Sequence, residues 1–363
     1  MLPFGKKVFG VTAALLLAVG VVSGCASQPV NSGNTSSSGS ATTSGNSKLV
    51  GAGSTFVNPF FSKAFYQYGQ DHNLQINYQS IGSGGGIQQF TAKTIDFGAS
   101  DVPMNAEELK AANKAGGEVV QIPVALGAEA ISYNLPGVKS LKLTPATLAN
   151  IYLGKITKWN DAAIKDVNPG VNLPNQNITT VHRSDGSGTT YIFSDYLSSI
   201  SKDWETTVGR GKALKWPAGI GGKGNEGVAG QILKTPYTIG YVELAYANQT
   251  KMPVASLQNK NGKFVMPTLD GATAAAASRP NVDYKNFSIV NSSGDTSYPI
   301  AGYTWALLFK NPSDANKGKQ MVDLFNWITS SNGQSIAKTL YYAPLPKNVA
   351  DSAKTLLQSI KVK

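Results

Sequence analysis

The chain contains one cysteine, Cys25, so no intrachain disulfide can staple the fold and the mature body must rest on its core. Histidine is nearly as scarce. His72 and His182 are the only two, which excludes a multi-histidine metal site. There is no HExxH helix and no GxSxG nucleophile elbow. Ser187 has no base near it in sequence except His182, so a serine nucleophile has little to activate it. Charged residues make up only 15% of the chain, and the formal net charge of +11 is spread without a dense Lys/Arg block. The footprint of a nucleic-acid binder is therefore missing. A thinly basic surface can still aid anion capture or approach to anionic lipids. No catalytic group, metal or cofactor is expected.

What is present begins with a targeting segment. Lys6 and Lys7 precede an apolar run over 8–22 that is too short and glycine-broken for a spanning helix. Val22-Ser23-Gly24-Cys25 has the form of a bacterial lipobox, which places Cys25 at the start of the mature chain for lipidation. Residues 26–47 are almost all Ser, Thr, Gly and Asn and read as a flexible tether, with an r.m.s. span of roughly 25 Å. Removing the two lysines of the 1–25 signal leaves +9 (11 − 2). The remaining chain suits two domains better than one small core.

Arg183-Ser184-Asp185-Gly186-Ser187-Gly188-Thr189-Thr190 carries the densest chemistry. It combines a permanent cation, a carboxylate, hydroxyls and glycines just before an amphipathic helical stretch. Such a turn aims backbone N–H groups and a helix dipole at one spot. Arg183 adds a planar donor fork suited to tetrahedral oxyanions. The alternative is an ordinary Asp-Gly turn with a Ser or Thr cap. Gly51-Ala52-Gly53-Ser54-Thr55-Phe56 has the same local form as Gly186 to Tyr191, and Pro59 follows near a helix start. A third cradle, Gly82-Ser83-Gly84-Gly85-Gly86, also precedes a helical stretch. Two or three helix N-termini converging on one small anion suggest a cleft between two lobes.

Strand and helix signals alternate. Strands are expected at 75–79, 118–124, 130–134, 179–183, 239–242 and 304–309. Helices are expected at 59–70, 86–93, 106–115, 145–152, 190–197, 225–234, 317–330 and 349–359. This alternation predicts α/β lobes with largely parallel sheets and a ligand site outside the strands' carboxyl ends. Pro299 precedes an apolar strand that returns the chain between lobes. Gly222 to Gly227 matches GxGxxG, but Pro217, Gly219 and Gly221 interrupt any central strand before it. It reads as a glycine loop leading into a helix, not a dinucleotide site. The tryptophans read as core.

With these motifs in hand, the chain resembles the phosphate-binding proteins of bacterial Pst ABC transporters, from about Leu49 nearly to the C-terminus. The stretches that carry the resemblance are 51–56, 81–86, Asp96-Phe97-Gly98-Ala99-Ser100-Asp101, 151–156, 183–189, 219–227 and Ile239-Gly240-Tyr241-Val242-Glu243. The resemblance implies a two-lobed periplasmic-binding-protein-like α/β fold of type II, with lobes 48–128 plus 300–363 and 129–299. It implies a dehydrated phosphate held by Thr55, the Phe56 N–H, Ser83, Asp101, Arg183, Ser187, the Gly188 N–H and Thr189, with Asp185 orienting Arg183. Ser54 and Ser184 stand where alanine is frequent in that family, and neither change is expected to disturb the shell.

The same residues account for selectivity. Phosphate keeps a proton at neutral pH and sulfate does not. Asp101 can accept that proton but only repels sulfate. Read without the resemblance, Asp101 is a helix N-cap before Val102-Pro103-Met104. The expected protein is a monomeric, lipid-anchored extracytoplasmic receptor that delivers phosphate, or arsenate, to a membrane permease. Alternatives are a receptor for another oxyanion, a phosphatase (for which nucleophile and metal cluster are both missing) and a scaffold role for the same fold.

Overall fold

The computed structural model describes residues 47–362. The signal, Cys25 and the linker up to residue 46 lie outside the described residues. The elements run β1 (Ser47–Gly53), α1 (Asn58–His72), β2 (Leu74–Ser80), α2 (Ser83–Thr91), β3 (Phe97–Ser100), α3 (Ala106–Gly116) and β4 (Val119–Asn134). There follow β5 (Lys142–Leu143), α4 (Pro145–Tyr152), α5 (Ala162–Lys165), β6 (Thr179–Arg183), α6 (Gly188–Ile200), α7 (Lys202–Thr207), β7 (Ile220–Gly222), α8 (Gly224–Lys234) and β8 (Thr238–Glu243). The chain continues through α9 (Leu244–Gln249), β9 (Ser256–Gln258), β10 (Phe264–Val265), α10 (Leu269–Ala277), β11 (Ala301–Phe309), α11 (Ala315–Thr329), α12 (Ser331–Thr339) and α13 (Lys347–Gln358).

Local sequence explains the elements that carry the site. In α1, Phe60, Phe61, Ala64, Phe65 and Tyr68 fall on one buried stripe at the i, i+4, i+8 spacing of a helix face. Pro59 opens it and Asn73, with φ of 49°, closes it in the left-handed conformation. A reciprocal capping box starts α3: the Asn105 side chain accepts from the Glu108 N–H, and the Glu108 carboxylate accepts from the Asn105 N–H. The α6 start is capped by Ser187, whose hydroxyl accepts from the Thr190 N–H at 2.9 Å. Asp101 caps no helix, because α3 begins only at Ala106 with Asn105 as its cap. The N-cap reading of Asp101 is thereby overturned.

Eight strands form one sheet in the order β2-β1-β3-β11-β4-β8-β6-β7. The expectation of largely parallel sheets needs correction. Four pairings are parallel and three antiparallel, the latter being β11 with β3, β11 with β4, and β4 with β8. The strand expected after Pro299 is the cause. As β11 it inserts between β3 and β4 and runs against both. The two strands expected at 118–124 and 130–134 are one, β4. Its Ala125 to Glu129 link is buried, and a strand covered on both faces need not alternate or break. Its first part pairs with β11 up to Ala128, and its last part pairs with β8 from Glu129 on. Pro123 cannot donate a ladder hydrogen bond, and the β11 register shifts beside it, between Thr304 and Trp305.

Aromatic side chains fill the core near both ends of the sheet. Phe61, Phe65, Tyr78, Phe97 and Phe325 contact one another beside β1 to β3. Tyr152, Phe193, Trp216 and Tyr241 do the same beside β6 and β8. Trp159, Trp204 and Trp305 are fully buried, as core tryptophans should be. No helix among the described residues is long and apolar enough to cross a membrane.

Candidate functional site

Strand ends deliver the polar residues. Thr55 follows β1, Ser83 follows β2, Asp101 follows β3, Arg183 ends β6, and β7 leads into the first turn of α8. These are carboxyl ends of the parallel strands, where open α/β sheets build their sites. All of the side chains involved are buried: Thr55, Ser83, Asp101, Arg183, Ser187 and Thr189 are at most 4% exposed.

Arg183 is held on three sides. Its Nε and Nη2 donate to the two Asp185 oxygens at 2.8 and 2.5 Å, and its Nη1 donates to Thr189 Oγ1 at 3.1 Å. A bidentate carboxylate fixes the plane of the guanidinium. Burial works to raise the Asp185 carboxyl, but the Arg183 hydrogen bonds and charge, with the Gly224 N–H, outweigh it and hold the group below its ordinary value. The pair therefore stays ionised.

Asp101 is the acceptor counterpart. Its Oδ1 takes hydrogen bonds from the Ser54 hydroxyl and from Thr304 Oγ1 at 2.7 Å. Its Oδ2 takes one from Ser83 Oγ at 3.3 Å, and its N–H donates back to that hydroxyl at 3.2 Å. Burial pushes the Asp101 carboxyl up to about 6, against the lowering by Ser54, Thr304, Arg183 and Ser83. It remains largely ionised at neutral pH. Ser54 is a correction to the sequence reading: its hydroxyl touches Asp101 directly, so this position does bear on the shell. Ser184 is exposed and stays clear of it.

Backbones meet closely here. Gly82 has a φ of 86°, and a Cβ on it would stand 2.2 Å from Asp185 Oδ2. A Cβ on Gly188 would stand 2.5 Å from Ser83 Oγ and 2.6 Å from Asp101 Oδ2. Only glycine lets the first turn of α6 lie against Ser83 and Asp101. The Gly84 N–H also donates to Gly186 O at 2.8 Å, joining the glycine cradle at 82–86 to the one at 183–190. Phe56 is fully buried, and its carbonyl accepts from Tyr342 Oη at 2.5 Å.

The structure thus brings Thr55, Phe56, Ser83, Asp101, Arg183, Asp185, Ser187, Gly188 and Thr189 into one neighbourhood. It also adds residues that the sequence reading did not place there. Asn225, fully buried in the first turn of α8, donates from Nδ2 to Thr55 Oγ1 at 2.8 Å and to Thr189 Oγ1 at 3.1 Å. Thr304 comes from β11, about two hundred residues from Asp101 in sequence. Only Asn225 had a local signal, the glycine loop before a helix. His182 is half-buried and stacks on Trp216 at 4.7 Å, and burial lowers its pKa. Its Nδ1 lies 3.1 Å from the Arg183 carbonyl, while the Ser187 hydroxyl serves the α6 cap, so the two make no nucleophile–base pair. No cluster of His, Cys, Asp or Glu among the described residues is suited to a metal ion.

A sheet with buried polar groups gathered at its strand ends, in two sets joined by β4 and β11, is the architecture of a two-lobed solute-binding protein. The sequence matches the PBP superfamily domain over residues 36–332. It is 45% identical to the phosphate-binding protein PstS of Xylella fastidiosa, over 87% of this chain and 86% of that one. It is 47% identical to the PstS of Pasteurella multocida, over 83% and 87%. A solved high-affinity periplasmic phosphate-binding protein, PfluDING bound with phosphate, shares the fold with a TM-score of 0.69 at 20% identity, covering 85% of this chain and 93% of its own. The chain belongs to the PstS family of the PBP superfamily.

Proposed function

We propose that this protein is a non-enzymatic extracytoplasmic receptor that binds inorganic phosphate in a closing cleft and hands it to an ABC-type importer. One observation carries the reading. A buried cation, Arg183, bonded to Thr189, and a buried acceptor carboxylate, Asp101, bonded to Ser83, lie in one neighbourhood with Thr55 and Ser187, and the hydroxyls of all four residues are at most 2% exposed. The PstS names of relatives more than 40% identical support the same ligand. The phosphate would be held by Thr55, Ser83, Arg183, Ser187 and Thr189 and by the Phe56 and Gly188 N–H groups, with Asp101 accepting its proton. Arsenate, also protonated, would follow. Sulfate would set a bare oxygen against Asp101, and a buried polar mismatch of that kind can discriminate by about 10⁴ to 10⁵.

Lobe boundaries at 128/129 and 299/300 fit the change of partner along β4. Contacts between the two stretches, such as Gly84 N–H to Gly186 O, fit a closed cleft. A lipid on Cys25, with the 26–47 tether, would hold a monomeric receptor at the membrane. The decisive experiment is calorimetric titration of ligand-stripped protein with phosphate and with sulfate. Tight phosphate binding with sulfate weaker by several decades is expected. Equal affinities, or hydrolysis of a phosphomonoester by the pure protein, would overturn the reading.

A further inference from the structure

The threonines of the site are hydroxyls, and a hydroxyl has one proton to donate and two lone pairs to accept with. Left alone, it can face an anion or turn away from it. In this structure both lone pairs of both threonines are taken. Thr55 Oγ1 accepts from the Asn225 backbone N–H at 3.1 Å and from Asn225 Nδ2 at 2.8 Å. Thr189 Oγ1 accepts from Asn225 Nδ2 at 3.1 Å and from Arg183 Nη1 at 3.1 Å. Each threonine is left with only its own proton to place. The amide cannot be turned the other way, because its Oδ1 accepts from the Glu243 N–H at 2.9 Å.

We propose that Asn225 is a positioning residue that fixes the direction of the Thr55 and Thr189 hydroxyls, making both obligate donors toward the bound anion. This rests on the phosphate reading of the site. Asn225 acts through the threonines and need not touch the ligand. One side chain from α8 thereby sets hydroxyls that come from β1's end and from α6, separated by more than a hundred residues of chain. The consequence is specificity of sign. With Thr55 and Thr189 locked as donors, Asp101 is the acceptor that a phosphate proton meets, and a neutral or cationic tetrahedral ligand finds no second one in this pair.

Asn225→Asp tests it. The substitution keeps the shape and keeps an acceptor for the Glu243 N–H, but replaces the Nδ2 donor with an oxygen that accepts. The threonine protons then have a competing partner, and a carboxylate enters the anion site. Phosphate Kd is measured by calorimetry from pH 5 to 8 in variant and wild type, with thermal melts to confirm folding. The variant is expected to bind at least about 100-fold more weakly at pH 8, with the variant-to-wild-type ratio narrowing toward pH 5 as the new carboxyl takes up a proton and can donate. A ratio near one, or a loss constant with pH, overturns the proposal. Should the aspartate variant not fold, Asn225→Ala is combined with Thr189→Val in a double-mutant cycle; additive losses overturn it and strong coupling supports it. A wild type that fails to bind phosphate would sink the receptor reading instead, so the two failures are distinguishable.

Discussion

The run β1–α1–β2–α2–β3 and the run β6–α6–β7–α8–β8, with α7 inserted, are built to one plan. In each, the first strand lies between the other two and parallel to both, the second strand outermost and the third toward the middle of the sheet. In each, the first strand ends in a Gly/hydroxyl turn before a helix, and the second leads into a helix whose first turn reaches the site, Ser83 in α2 and Asn225 in α8. The charges differ. The first run supplies the acceptor Asp101 and no cation; the second supplies Arg183, locked to Asp185. The third strands also end unlike one another. Asp101, after β3, has three hydroxyl donors. Glu243, closing β8, spends one oxygen on the Ala245 N–H at 2.7 Å and leaves the other without a partner. A repeated frame thus gives proximity, while unlike residues at equivalent strand ends set a cation and an acceptor carboxylate in one neighbourhood, as the proposed phosphate site requires.

Removing the second run's charge should have the largest effect. Truncating one partner of a buried, hydrogen-bonded charge pair costs about 2–5 kcal/mol. Arg183→Ala should therefore weaken phosphate binding roughly 30- to 5000-fold, and Asp185→Asn less, since it only frees the guanidinium. Calorimetry returning wild-type affinity for Arg183→Ala would end the claim that the two runs differ in this way.

Next comes the carboxyl where the two runs meet. Glu129, on β4, lies opposite Glu243 in register, is fully buried, and has no partner on either oxygen. Burial, with Asp101 and Glu243 adding to it and Arg183 opposing, holds its pKa well above 4.5. The native state then keeps a proton that the unfolded chain has released, so stability falls as pH rises from about 4.5 toward the raised value. The slope for one such group is at most about 1.4 kcal/mol per pH unit. Glu129→Gln cannot ionise and should lose its share of that slope. Denaturant unfolding between pH 5 and 7 reads it, because the Asp101 and Glu243 contributions cancel in the difference from wild type. Parallel stability curves would mean that Glu129 is charged in the fold.

Asp101→Asn addresses the first run. The amide keeps the shape and can turn to donate, so phosphate affinity should fall modestly and sulfate affinity rise. The phosphate-to-sulfate ratio should shrink at least about tenfold, or 1.4 kcal/mol. Wild-type protein offers the same comparison by titration. Since burial raises Asp101 to about 6, sulfate should bind better as pH drops through that value, and the variant should not show the rise. An unchanged ratio would reduce Asp101 to a structural role.

The parts legible in the sequence were those written locally. The Gly51 to Phe56 and Arg183 to Thr190 segments each hold a strand end, a turn and a helix start within a few residues, so their chemistry could be read before their positions. Asn225 stood in an equally local glycine loop, but its role depends on Thr55 and Thr189 arriving from elsewhere. Thr304 and Ser54 were opaque for the same reason: a hydroxyl in a strand or turn says nothing about which carboxylate will face it. The antiparallel return of β11 was hidden because an apolar strand reads alike in either direction, and β4 read as two strands because Gly127 interrupts its apolar run.

The smallest effect expected comes from an ion pair between the second run and α3, the helix that follows the first run. Lys212, in the loop after α7, contacts the Glu108 carboxylate of α3 at 2.5 Å. The pair is partly exposed, 14% for Lys212 and 23% for Glu108, so its worth lies near the range of surface ion pairs, about 0.2–1 kcal/mol. It differs from them in placement. The Lys212 carbonyl also accepts from the Ser187 N–H at 2.8 Å, tying the loop to the start of α6. Opening the cleft would separate the charges, so the pair should slow ligand release and leave capture alone. Glu108 is a poor choice for the test, since it also completes the α3 capping box and its loss would mix two effects. Lys212→Met removes the charge and keeps most of the apolar stem. Phosphate dissociation should quicken by up to about fivefold, with the association rate unchanged, in stopped-flow traces. Salt gives an independent handle: raising it should speed release from the wild type through screening and do less to the variant. Equal off-rates at low salt would show that the ion pair adds nothing to the closed state.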